Sequence, residues 1–183
     1  MELPDISVWN AGSVHDETTF NAVSYALDFL LNPPECRVDQ TSHQSVPTGA
    51  ATATLIEFQS ASVDNDGMWS ASTPDYITIQ TSGWYELEYA VSWETKQSGD
   101  STNRIIALFL NEEIDISQSY GYAEFVNDAS VTPQIWQSYD MFLTEGTKLS
   151  LGVFHEFGST ISTWSSGSDK ELQTFLRARW ASL

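Results

Sequence analysis

A few groups of residues have types and spacing that suit chemistry. Ser62-Val63-Asp64-Asn65-Asp66-Gly67 carries oxygen donors spaced like the first half of a calcium-binding loop. Position twelve of such a loop needs a bidentate carboxylate and is Thr73 here, with no helical pattern on either side, so an Asp-Gly turn is expected instead. The adjacent acids Glu112-Glu113 and the alternate pair Glu86/Glu88 could serve glycoside hydrolysis, which needs two carboxyls facing a sugar across a cleft. On a hairpin or the wet side of a strand, however, such acids ordinarily keep the edge soluble. His15, His43 and His155 have no second His or Cys at zinc spacing. The sequence also lacks a Gly-x-Ser-x-Gly elbow, a phosphate-cradling glycine loop and a dinucleotide fingerprint. The expectation is a protein that is not an enzyme and carries no cofactor or metal.

Aromatic side chains are the remaining candidates for binding. Trp84 alternates out of a packed strand face, Trp69 and Trp164 fall in loop-like stretches, and Tyr120 and Tyr122 flank Gly121. Exposed Trp and Tyr can stack on sugars or anchor a protein interface. Coverage of Trp84 by a neighbouring subunit or by the N-terminal segment is the alternative.

The elements that must position these residues are mostly strands. Along Trp84–Glu94, Tyr85, Leu87, Tyr89, Val91 and Trp93 fall on one side, with Glu86, Glu88, Ser92 and Glu94 on the other. That period of two predicts an antiparallel strand with a packed and a wet face, joined to a strand at Tyr76–Gln80 by a turn at Thr81-Ser82-Gly83. Further strands are expected at Cys36–Thr41, Ala51–Phe58, Arg104–Leu110, Glu113–Ser117, Ile135–Leu143, Lys148–Phe157 and Thr174–Ala181. Ile105-Ile106-Ala107-Leu108-Phe109-Leu110 is apolar on both faces, so it lies centrally or is covered by another subunit.

One helix is expected over about 16–31, capped by Asp16 and stopped by Pro33-Pro34. Phe20, Val23, Leu27, Leu30 and Leu31 form its apolar stripe, while Ala22, Tyr25, Ala26 and Phe29 nearly close the circle. The helix must dock on a partner, on copies of itself or on its own sheet.

The chain's 183 residues suffice for one domain with an appendage, and 41% hydrophobic residues can fill a core. A net charge of −18 repels phosphate backbones and anionic lipid, which argues against nucleic acid as a partner; it suits solubility on a crowded assembly or a salty medium. Cys36, the single cysteine, is expected as a buried thiol. Met-Glu-Leu-Pro-Asp has neither a basic start nor an apolar run, and no window approaches a membrane span, so secretion and membrane insertion are not expected.

Asp64-Asn65-Asp66-Gly67-Met68-Trp69-Ser70, Tyr76-Ile77-Thr78-Ile79 and Ser82-Gly83-Trp84-Tyr85 together resemble the opening of the tumour-necrosis-factor and complement-globular-head jelly roll. The likeness is to the form found in virion proteins of tailed bacteriophages. Arg104–Glu113 resembles that family's next hairpin, with Glu112 where Gly usually follows Asn and a longer turn therefore expected, and Gln80 stands where Pro is common. Trp9–Val14, Asn21 and Ala26–Pro34 are similar to the leader of the phage proteins.

The resemblance implies an all-β antiparallel jelly-roll sandwich with one N-terminal α-helix, over about 36–183, behind an attachment segment over about 1–35. It further implies a homotrimer, with Ile105, Ala107 and Phe109 as candidate interface residues. Trp9, Phe20, Val23, Leu27, Leu30 and Leu31 are then candidates for contact with capsid or tail proteins. The function expected is that of a virion structural protein, made in the host cytoplasm, which projects from the particle and can contact a host-surface glycan or receptor. The alternative is a carbohydrate- or receptor-binding module of a cellular protein.

Overall fold

A computed structural model describes residues 17–49, 52–94, 102–127, 134–156, 158–163 and 173–182. Its element order is α1 (Glu17–Leu31), β1 (Glu35–Asp39), β2 (Gln44–Val46), β3 (Thr54–Leu55), β4 (Ser60–Asp64), β5 (Ile77–Thr78), β6 (Gly83–Ser92) and β7 (Thr102–Leu110). A 3₁₀ turn at Ile116–Gln118 follows, then β8 (Tyr120–Asn127), β9 (Gln134–Leu143), β10 (Lys148–His155), β11 (Ile161–Thr163) and β12 (Phe175–Ser182).

Two antiparallel five-stranded sheets face each other. The first runs β4-β1-β12-β6-β9; the second runs β3-β10-β7-β8 with β5 also on β10, and β11 pairs β2 in a small third sheet. This is the expected jelly-roll sandwich with its helix at the N-terminal side. Alternate residues of β6, namely Tyr85, Leu87, Tyr89 and Val91, are fully buried and meet Ile106, Leu108, Leu149, Leu151 and Val153 of the second sheet. Apolar burial between the sheets drives their packing.

Several local expectations are corrected. The strand at Ile77–Thr78 does not form a hairpin with β6: it pairs with β10 in the other sheet, so the chain crosses between sheets at 79–82. Gly83 permits that crossing, because a Cβ there would run into the Trp180 indole. Ser92, expected on the wet side, is buried, and its N–H donates to Thr174 Oγ1 at 3.0 Å.

Glu113–Ser117 is not a strand. The chain reverses after β7 with Asn111 at φ 55° and Glu112 at φ 65°, and residues 111–119 connect β7 to β8. Beyond it the Glu113 carboxylate accepts from the Ile114 and Asp115 amides, and Asp115 Oδ1 accepts from the Ser117 amide. These local side-chain bonds leave the segment a single bridge, Thr52 opposite Asp115 with the Ala53 amide donating to the Ile114 carbonyl at 2.9 Å, instead of a ladder.

Helix α1 ends before Pro33-Pro34 as expected, while Asp16 lies outside the described residues. Asn65 Nδ2 donates to Asn32 Oδ1 at 3.0 Å and to the Pro33 carbonyl at 2.8 Å, tying the joint to the end of β4.

Candidate assembly surface

Pairing with β9 puts Trp84, Glu86, Glu88 and Ala90 of β6 opposite Phe142, Asp140, Ser138 and Trp136 on the outer face of the first sheet. Trp84 and Phe142 meet edge to face with ring centroids 6.1 Å apart, and each is about half exposed, at 47% and 48%. Trp136, at the other end of the face, is 57% exposed. Aromatic side chains of this size carry the most energy when an interface covers them.

Between these two aromatic ends lies a band of paired charges. Arg177 of β12 bonds Glu35 at 2.7 Å and Glu88 at 3.0 Å, and Arg179 approaches Glu35 at 3.9 Å. Burial works against the Arg177 charge, but the Glu88 and Glu35 carboxylates outweigh it and hold its pKa above the ordinary value. Arg37 bonds Asp39 at 3.1 Å and lies 3.9 Å over the Phe175 ring. Both stem packing and charge therefore fix these arginines in place.

Further aromatic residues are exposed where β9 passes β8. Tyr139 is 38% exposed beside Gly121 of β8, and Tyr120 and Tyr122 stand 40% and 44% exposed on either side of that glycine. Gly121, at φ 54°, leaves room for the Tyr89 hydroxyl, which donates to its carbonyl. A side chain there would strike that hydroxyl.

Of the aromatic binding candidates, Trp84, Tyr120 and Tyr122 are thus exposed together with Trp136, Tyr139 and Phe142, which sequence reasoning missed. Trp136 and Phe142 could have been found from the even-numbered positions of Gln134–Leu143, once β9 was paired with β6. Trp69 is a correction: it is half-buried and packs against the core, because both Asp64 carboxylate oxygens accept from the Met68 and Trp69 amides and fold the loop inward. Trp164 and Trp9 lie outside the described residues.

Ile105, Ala107 and Phe109 are also corrected. They are 7%, 1% and 0% exposed within the single chain, so they offer no open apolar face to a neighbour. Ala107 and Phe109 cluster with Ala53, and Leu55 and Ile116 pack over them, while the Phe109 ring lies on Gly152. Around Ala107 and Phe109 the outer face of the second sheet is therefore closed by the chain's own side chains, from residues 53–55 at the sheet edge and from the 3₁₀ turn.

On α1, Phe20, Leu27, Leu30 and Leu31 are exposed by 54% or more and Val23 is half-buried. Phe29 makes the seat, edge-on against Trp180 with centroids 4.8 Å apart. Among the described residues no group of three or more His, Cys, Asp or Glu is placed to hold a metal, and no helix is long and apolar enough to cross a membrane. Glu112 pairs with Lys148 at 2.7 Å, and His155 is buried with Nε2 2.9 Å from the Val46 carbonyl.

No protein-family model matches the sequence, and no curated protein matches it. Solved structures do. Murine APRIL at pH 8.5 is similar over 81% of this chain and 98% of its own, at 11% identity and a TM-score of 0.55. The Eiger TNF of S. frugiperda is similar over 82% of this chain and 95% of its own, at 10% identity and a TM-score of 0.56. At such identities the likeness shows the fold, a TNF-like jelly roll, and the fold alone.

Proposed function

We propose that this chain is a structural protein of a tailed-virus particle, in which the jelly roll assembles as a homotrimer and projects outward while the segment over about 1–35 fastens it to capsid or tail proteins. The observation that carries the reading is the exposed aromatic surface of β6, β9 and the β9 edge, Trp84, Trp136, Tyr139 and Phe142 above all. Identical copies would bury those rings against one another, and the Arg177 and Glu35 band would set the register. The resemblance of Trp9–Val14 and Ala26–Pro34 to a phage leader supports the particle role. Nothing in the mechanism is catalytic; burial stabilises the projection, and the acidic loops keep neighbouring projections apart.

Light scattering on the full chain tests the assembly: a mass of three copies is expected, and Trp136→Glu with Phe142→Glu should yield folded single copies. Deleting residues 1–35 should release the protein from particles seen by electron microscopy. A single-copy wild type, or particles that keep the shortened chain, would overturn the corresponding half of the reading. Glycan binding that disappears on Trp136→Ala would favour a carbohydrate-binding module.

A further inference from the structure

We infer that the peptide joining Asp66 to Gly67 is a modification site, at which the folded chain rearranges without an enzyme to an isoaspartyl linkage. The Gly67 amide nitrogen bonds to the Asp66 side-chain carboxyl carbon, and one water leaves as a five-membered imide closes. A second water opens the ring at the former main-chain carbonyl, so the chain then runs through the Asp66 β-carbon. No electrons are exchanged, and water is the only co-reactant.

Asp66-Gly67 is the chain's single Asp-Gly step, and no Asn-Gly step occurs. Glycine leaves the attacking nitrogen with no side chain of its own residue in the way.

The fold separates this amide from those that follow it. The two Asp64 carboxylate oxygens accept from the Met68 amide at 2.7 Å and from the Trp69 amide at 3.1 Å. The Gly67 amide has no hydrogen-bond partner among the described residues, so no bond must break before it attacks. Gly67 is exposed, and no atom stands within 4 Å of where its Cβ would be. The ring can therefore close without displacing a neighbour.

A carboxyl group takes the nitrogen in its uncharged form, because a carboxylate has no neutral group to expel. Asp66 is half-buried, and burial holds its pKa above the ordinary value against the pull of the Thr81 hydroxyl, which donates to Oδ2 at 3.3 Å. More of it is uncharged at a given pH than of an Asp in water.

Anchors on either side give the change a consequence. Asn65 accepts from the Glu35 amide at 2.7 Å and donates to Asn32 and to the Pro33 carbonyl. Met68 is 2% exposed, and its carbonyl accepts from the Thr78 amide at 2.7 Å. An added backbone carbon between these anchors shifts the exposed one, Asn65, and loosens the joint below α1.

Peptide mapping of the full chain after warm incubation, with enzymatic methylation of isoaspartyl carboxyls as the probe, tests this. Isoaspartate should build up at Asp66 about tenfold faster than at Asp39 or Asp115, and faster at about pH 5 than at about pH 7.5. Asp66→Glu keeps the acid but needs a six-membered ring and should abolish it, whereas Asp66→Asn should pass through the same imide with loss of ammonia. In the rearranged fraction the Glu35 amide should exchange with solvent about tenfold faster. Isoaspartate no more abundant at Asp66 than at the other two positions, or formed in the urea-unfolded chain and not in the folded one, overturns the site. Accumulation with unchanged exchange at Glu35 overturns the loosened joint and leaves the site standing.

Discussion

On the outer face of the second sheet, Ala107 and Phe109 meet Ala53, Leu55 and Ile116 of the same chain. On the outer face of the first sheet, Trp84, Trp136 and Phe142 meet water. Both faces carry apolar residues on strands, and only one of them is closed by its own connections. An apolar outward position states that something must cover it; whether that cover is the same chain depends on where the loops travel.

The contrast breaks most sharply at Phe109. Truncating it to Ala should cost about 3–5 kcal/mol at any protein concentration, the usual loss for a fully buried Phe. Trp136→Ala should cost single copies under about 1 kcal/mol, since the ring is already more than half exposed, yet weaken assembly. Chemical denaturation beside light scattering measures both, and a mild Phe109→Ala that instead changed the mass would invert the comparison.

Gly152→Ala probes the covered face from beneath, because the added methyl would collide with the Phe109 ring. A loss of about 1–3 kcal/mol is expected, typical of overpacking. A neutral result would mean that the Ala53 and Ile116 cover is loose.

Alkaline pH probes the core between the faces. Burial raises the pKa of Tyr85, Tyr89 and Cys36, the last to about 12. Unfolded, a thiol ionises near about pH 8.5 and a phenol near about 10. Above those values the folded state holds more protons than the unfolded one, so stability falls as pH rises. The Tm should decline from about pH 9 through about 12, and a flat Tm over that window would contradict the burial.

The smallest effect concerns the turn that follows the covered strand. Glu112 sits at φ 65°, where Gly relieves about 1 kcal/mol of strain, while its ion pair with Lys148 is exposed and screened by solvent. Glu112→Gly should be neutral or stabilising by a few tenths of a kcal/mol in denaturant titrations. A clear destabilisation would show that the ion pair holds the turn.

Legibility in the sequence followed the same physics. The alternation of Tyr85, Leu87, Tyr89 and Val91 and the stop at Pro33-Pro34 were readable because each signal is local. Gln44–Val46, Ser60–Asp64 and Ile161–Thr163 were not, since these short polar strands exist through pairing with distant partners. Tyr120–Asn127 was obscured by Gly121, whose role as a seat for the Tyr89 hydroxyl appears only in three dimensions.

The sequence by itself determined that this chain is a two-layer antiparallel sandwich with one apolar helix, because side-chain period and helix stops act within a few residues. Tertiary structure alone decided which apolar faces are hidden. Ala107 and Phe109 were indistinguishable in kind from Trp136 and Phe142 until the paths of β3 and the 3₁₀ turn were known, since burial is a property of neighbours far apart in the chain.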